Sequence, residues 1–386
     1  MGGQGRAKAL GMAILAFAIV CAVLATKPMP IVTAESFTEQ RSGDSKAEFD
    51  LSPVEKEETS SVQRREIGGV SVLMERPANP KGILFVAHGC HHNAEDWWPS
   101  TPDVCPECIG LPEELAIVKM ALEFELAVVA VSSDDRVSKC WSGTDGPIVA
   151  KVLTALEEEI LETDQESKVP ILAFGASSGG GFVGRKLIKS MRKLGRDLDG
   201  FIAQIAAPDS RSELPKERGE HPFPIATFIT MNRDVGSDEH VREIVEGLQQ
   251  EGHPAKHTRL PPLALSHTFF QDRIPHYTLE QSKTMTQALR KSNFLDESTF
   301  ELNKDPRRST WRDVLKEHVA CPPDCLVADQ SPVSEVMNVA WGAHEMARDG
   351  VRESIAFILR EHAQQGTTQG SSSFGGLTLQ SANNAG

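Results

Sequence analysis

The feature that most restricts this chain is a repeated alternation of short, continuously apolar runs with longer stretches of helical spacing. The apolar runs are "GILFVAHG", "LAVVAVSS", "VPILAFG", "GFIAQIAAP", "PIATFITM" and, less sharply, "KHTRLPPLAL". Between them lie "LPEELAIVKMALEFE", "GPIVAKVLTALEEEILE", "SSGGGFVGRKLIKSMRKL" and "SDEHVREIVEGLQQEG", whose apolar residues recur at the spacing of one helix face. Strands that are apolar on both sides and separated by amphipathic helices predict an α/β fold, with a mostly parallel sheet covered by helices on both faces. Ahead of them, "VQRREI" and "VSVLMERP" flank Gly68-Gly69 and predict an antiparallel hairpin entering that sheet.

After Ser266 the pattern changes. Residues 267–335 read as helices and loops, a helical insertion or cap before the last core helix, which is expected within "SEVMNVAWGAHEMARDGVRESIAFILREH". The division expected is therefore a core over 62–266, the insertion over 267–335 and a C-terminal part of the core over 336–362. Flanking it, 27–61 is acidic and lacks apolar periodicity, which predicts a disordered stalk, and 363–386 is too poor in large apolar groups to pack and predicts a disordered tail.

Residues 1–26 have the composition of a targeting segment. Arg6 and Lys8 precede the uncharged run from Ala9 to Thr26, long enough to span a bilayer once. Val23 and Ala25 also suit cleavage after Ala25, so a secretory signal and a single N-terminal membrane anchor both stand, and either puts the folded part in the secretory lumen or outside the cell. Of seven cysteines, Cys21 lies in that run and leaves six: Cys90, Cys105, Cys108, Cys140, Cys321 and Cys325. An even number in an oxidising compartment favours disulfides, with connectivity left open. "CPEC" with His91 and His92 offers half of a zinc motif, too little for a closed tetrahedral site, so no metal and no cofactor is expected. The net charge of -14 argues against nucleic acid as a partner, and the basic run from Arg185 reads as the solvated face of a helix.

The chemistry concentrates in "ILAFGASSGGG". Gly175-Ala176-Ser177-Ser178-Gly179 falls between a predicted strand and a predicted helix, the setting of a sharp turn that lifts the central serine above a sheet. Glycine is needed at 175 and 179 because a Cβ at either position would clash where strand and helix cross. A serine hydroxyl needs a base, itself oriented by an acid. Asp234, just past "PIATFITM", is the candidate acid, with Asp209 and Asp238 as rivals. His344, in "VAWGAHEM", is the candidate base, with His267 as rival. The backbone N–H of Ser178 and one from Cys90 or His91 are the candidate oxyanion donors. Glu345 is expected to start a helix and Met346 to lie in the core, and Trp97, Trp98 and Trp141 are expected as core or as the lining of an apolar pocket.

"VAHG", "GASSGGG", "MNRD" and the late "AHEM" resemble the α/β-hydrolase superfamily. Together, "AHGCHHN", "CPECIGLPEE", "CWS", "GASSGG", "DRIP" and "HEM" resemble a little-characterised hydrolase-like group from plants and algae, over about Lys81 to His362. The resemblance implies a triad of Ser177, Asp234 and His344, oxyanion donors at Ser178 and Cys90, and cysteines around "HGC" and "CPEC" tying a loop over the site. It implies a serine hydrolase acting through an acyl-enzyme on the ester or related bond of a small-molecule or lipid-like acyl substrate. The alternative is a hydrolase-like binding protein whose triad side chains fail to meet.

Overall fold

A computed structural model describes residues 61–161, 168–206, 208, 214, 222–234, 237–316, 318, 326–328 and 330–372, all within one compact unit that runs from Glu58 to the end of the chain. The apolar run from Ala9 to Thr26, the stalk up to residue 60, Asp209, Cys321, Cys325 and the tail beyond Ser372 lie outside the described residues. Among the described residues no helix is long and apolar enough to cross a membrane.

Eight strands form one sheet in the order β1-β2-β4-β3-β5-β6-β7-β8: β1 (Gln63–Ile67), β2 (Val70–Glu75), β3 (Gly82–Ala87), β4 (Leu126–Ala130), β5 (Ile171–Ala176), β6 (Gly200–Gln204), β7 (Ile225–Met231) and β8 (Ala255–Leu260). β1 and β2 form the expected hairpin, turning through Gly68 and Gly69 at φ 62° and 80°, and β2 pairs antiparallel with β4. Every pairing from β4 onward is parallel. This is the α/β-hydrolase fold.

Successive strand residues feed opposite faces of the sheet. In β3, Ile83, Phe85 and Ala87 join one core, which includes Val149, Leu153 and Leu156 of α2 (Asp145–Leu161) and Val241 and Leu248 of α5 (Ser237–Gln250). Leu84 and Val86 join the other, with Ile117 and Ala121 of α1 (Pro112–Glu123) and Val351, Ile355 and Ile358 of α10 (Val351–Ser372). Where α10 crosses β6 the approach is close: a Cβ on Gly200 would stand 2.3 Å from Ile358 Cγ2. α10 continues to Ser372, ten residues past the boundary expected for the tail.

The stretch after β8 carries a core of its own. Phe270 of α6 (Phe269–Arg273), Met285 and Leu289 of α7 (Leu279–Lys291), Trp311 of α8 (Trp311–Leu315) and Val333, Val336 and Met337 of α9 (Pro332–Trp341) pack together. α9 and α10 are separate helices, and the second begins at Val351 rather than at the expected Glu345. Gly342, at φ 74°, ends α9 with its N–H on the carbonyls of Asn338 and Val339, and residues 343–350 form an open loop before α10.

The start of β5 is pinned by a buried ion network. Arg196 Nε reaches both carboxylate oxygens of Glu157 at 2.9 and 2.8 Å, and its Nη2 donates to Val169 O and Asp199 Oδ2. Asp199 Oδ2 also accepts the Ile171 N–H, the first amide of β5. Removing one partner of such a group leaves buried charge uncompensated. Arg196→Met is therefore expected to lower the unfolding free energy by about 3–5 kcal/mol in urea titrations; a loss below about 1 kcal/mol would show that the network contributes little.

Candidate active site

The turn after β5 is as tight as its glycines require. A Cβ on Gly175 would lie 2.4 Å from the carbonyl carbon of Gly179, and one on Gly179 would lie 2.5 Å from Ala87 O, the end of β3. Ser177 between them has φ 52° and ψ -118°, a strained conformation for a residue with a side chain. Its N–H is held by Gln204 O at 2.9 Å. α3 (Ser178–Gly181) begins immediately after it, continues through a π-helical turn (Phe182–Leu187) and passes into α4 (Ile188–Lys193).

The structure brings Ser177, His344 and Asp234 into one line. Ser177 Oγ stands 3.0 Å from His344 Nε2, and His344 Nδ1 stands 3.2 Å from Asp234 Oδ2. Asp234 lies three residues beyond the end of β7, in a turn whose Arg233 N–H donates to Gly342 O at 2.9 Å. The acid loop is thereby bonded to the loop that carries the histidine. The two described rivals, Asp238 and His267, lie elsewhere. Asp238 accepts from Thr230 Oγ1 and faces His257 and Arg259, while His267 sits in the insertion with Nδ1 3.5 Å from Thr286 Oγ1.

The histidine loop is held by the insertion. Arg307 Nη1 donates to Ala343 O at 3.0 Å, and its Nη2 donates to His344 O and Glu345 Oε2, both at 2.8 Å. Glu345 does not start a helix. It accepts from Arg307 and from Asn338 Nδ2, and burial raises its carboxyl above the usual range, against the pull of Arg307. Gln204 secures the far side of the loop, taking Ala347 N–H and giving to Ala347 O at 2.9 and 2.8 Å.

The loop after β3 is organised around His88. Its ring Nδ1 donates to Gly89 O at 2.7 Å, its Nε2 accepts the Ser133 N–H at 3.1 Å, and Trp141 Nε1 donates to His88 O. Those bonds suit a neutral ring, and burial lowers the pKa to about 4. Cys90 is disulfide-bonded to Cys140, and Cys105 to Cys108, so "CPEC" supplies no thiolate pair for a metal. Between the two rival amides, His91 N–H is taken by Ser138 O at 2.9 Å, whereas the Cys90 N–H meets no acceptor among the described residues. The Ser178 N–H belongs to the first turn of a helix and has no partner within it. Trp97, Trp98 and Trp141 are all buried core and do not line the cavity.

Ser177 and His344 open on a cavity of about 380 Å³ lined also by His91, His92, Glu114 and Met346. Glu114 escaped the sequence reading, because an acidic pair at the start of "PEELAIVKM" reads as ordinary first-turn chemistry. It is buried, and burial pushes its carboxyl up to about 7, while burial and the neighbouring Glu114 hold the Glu335 carboxyl beside it well above the usual carboxylate range. At His92 burial opposes the charge, but the hydrogen bond to Asp96 and the nearby carboxylates outweigh it and lift the ring to about 9.

No family model matches the chain, and no curated protein matches it. Solved structures do. A dienelactone hydrolase from Anabaena variabilis aligns at 15% identity and a TM-score of 0.36, over 52% of this chain and 87% of its own. A bacterial heroin esterase aligns at 18% and 0.33, over 52% and 74%, and a hyperthermophilic esterase from Pyrobaculum calidifontis at 13% and 0.35, over 60% and 85%. Likenesses of this size say nothing of substrate.

His88 gives the site a pH dependence with a definite sign. Its folded pKa of about 4 lies below the ordinary histidine value of about 6.5, so the unfolded chain takes up the proton first. The neutral ring's contribution is complete above about pH 6.5 and falls away towards pH 4, by about 3 kcal/mol in all. His88→Asn should flatten the change in unfolding free energy between pH 7 and pH 4 relative to the wild type; parallel profiles would show that His88 does not bury a neutral ring.

Proposed function

We propose that this chain is a serine hydrolase that cleaves an ester or related acyl bond of a small-molecule or lipid-like substrate. The observation that carries the reading is the unbroken line from Ser177 Oγ through His344 to Asp234, at 3.0 and 3.2 Å. A catalytically inactive binding protein calls for a histidine held away from the serine, and 3.0 Å is hydrogen-bond contact.

His344 Nε2 takes the hydroxyl proton as Ser177 Oγ attacks the carbonyl carbon, and Asp234 holds the imidazolium that forms. The oxygen of the tetrahedral intermediate turns towards the N–H groups of Ser178 and Cys90, whose positions are set before reaction by the helix start and by the turn around His88. His344 then returns the proton to the leaving group, and water activated by the same ring releases the acyl group from Ser177. The strained φ of Ser177 supports the reading, because such a conformation persists only where its surroundings enforce it.

The reading extends to compartment. The disulfides Cys90–Cys140 and Cys105–Cys108 suit an oxidising lumen, in keeping with an N-terminal signal or single membrane anchor.

The test is turnover of a panel of p-nitrophenyl esters of increasing chain length. Ser177→Ala should lose about 10⁴-fold or more in kcat and Asp234→Asn about 10³- to 10⁴-fold, with circular dichroism spectra unchanged. Undiminished turnover in Ser177→Ala, or no turnover of any ester by the folded wild type, would overturn the proposal.

A further inference from the structure

Two side chains that line the catalytic cavity, His92 and Glu114, also belong with Asp96 to a compact group outside the serine line. One ligand-type atom from each of the three lies within 4.8 Å of the others. His92 Nδ1 is 2.8 Å from Asp96 Oδ2, which also accepts the Asn93 N–H. Glu114 arrives from the first turn of α1. The spacing is set by backbone, because Ile109 N–H donates to Glu95 O and Leu111 N–H to Asp96 O at 2.8 Å, fastening the His92–Asp96 segment to the start of that helix.

The telling atom is Glu114 Oε2. The residue is 1% exposed and its carboxyl shares a hydrogen bond with that of Glu335, yet no described N–H or alcohol O–H donates to this oxygen. A buried carboxyl oxygen left without a partner is costly, so a site that keeps one is built to receive something positively polarised.

We propose that His92, Asp96 and Glu114 form a binding site for a divalent transition-metal ion, zinc being the best matched, with an open coordination position towards the cavity that holds Ser177. Two carboxylates balance a double positive charge, and the imidazole nitrogen selects zinc and its transition-metal neighbours iron, nickel and copper over magnesium, calcium and manganese, which suit oxygen ligands. Three protein ligands leave a fourth position for water or a substrate oxygen. The ligand atoms need to draw in only until each is about 2.0–2.2 Å from the ion, within reach of side-chain rotation. On binding, any proton on the His92 ring nitrogen that ligates and any proton on the Glu114 carboxyl leave to solvent, so that a neutral imidazole and two carboxylates hold the ion. The site is separate from the "CPEC" motif, whose cysteines are bonded to each other.

The experiment is isothermal titration of the purified, chelator-stripped chain with zinc chloride, its disulfides intact by thiol assay, followed by metal analysis after dialysis. The expected result is one zinc per chain with a Kd of about 1 μM or below. Glu114→Gln and Asp96→Asn should each weaken binding about tenfold or more, while Ser177→Ala binds as the wild type does. Glu114→Gln keeps the shape of the side chain, and its melting curve verifies that the fold is intact. No stoichiometric zinc in the wild type, or stoichiometric zinc that survives both substitutions, would overturn the proposal. Ester turnover in the same preparations, with and without zinc, is a separate readout: its absence counts against the role of Ser177 and leaves the calorimetric result to decide the metal site.

Discussion

The near-contact of two backbones at Gly175 and Gly179 is the constraint on which the rest of the site depends. With no Cβ at either position, β5 can end and α3 can begin within hydrogen-bond reach of each other, and Ser177 is left at φ 52° with its hydroxyl above the sheet. Gly179 also lies against the carbonyls of Ala87 and His88, so the same close packing that lifts the serine draws the turn after β3 beside it. The candidate nucleophile and both candidate oxyanion amides are thus set by one packing event at the centre of a parallel sheet. The ion network at Arg196 anchors the opposite end of β5.

The insertion after β8 has the second organising part. Its Arg307 grips three acceptors on the loop of His344, and its Glu301 binds Arg233, whose guanidinium also stacks 3.9 Å over Trp341. A histidine on an open loop would sample many orientations. Here Arg307 on one side, Gln204 on another and the Arg233–Gly342 backbone bond hold that loop to the acid loop and to the sheet. A cap that merely covered a site would not need this many bonds to the backbone around one residue.

Much of this was legible in the sequence for a physical reason: strands buried on both faces must be apolar throughout, and a strand-to-helix crossing this close must be glycine on both sides. The eight strands, the hairpin at Gly68-Gly69 and the position of Ser177 follow from those two demands. The length of the open loop after Gly342 was not legible, because "SEVMNVAWGAHEMARDG" keeps helical spacing on both sides of that glycine and only tertiary bonds delay the next helix from the expected Glu345 to Val351. Glu114, Asp96 and Arg307 were missed for a related reason. Each is an ordinary surface residue type in its local stretch and becomes buried or cavity-lining only when segments far apart in sequence meet. The amide choice between Cys90 and His91 depended on one carbonyl, Ser138 O, that no local pattern reveals.

The central claim is that Ser177 is an activated nucleophile. It is tested most directly by reacting the purified chain with a fluorophosphonate probe and mapping the modified peptide by mass spectrometry. The account predicts a single phosphonylated residue, Ser177, and no labelling after His344→Ala, which removes the base and leaves the serine in place. Well-folded protein with both described disulfides intact that fails to react, or that reacts at a different residue, would contradict it.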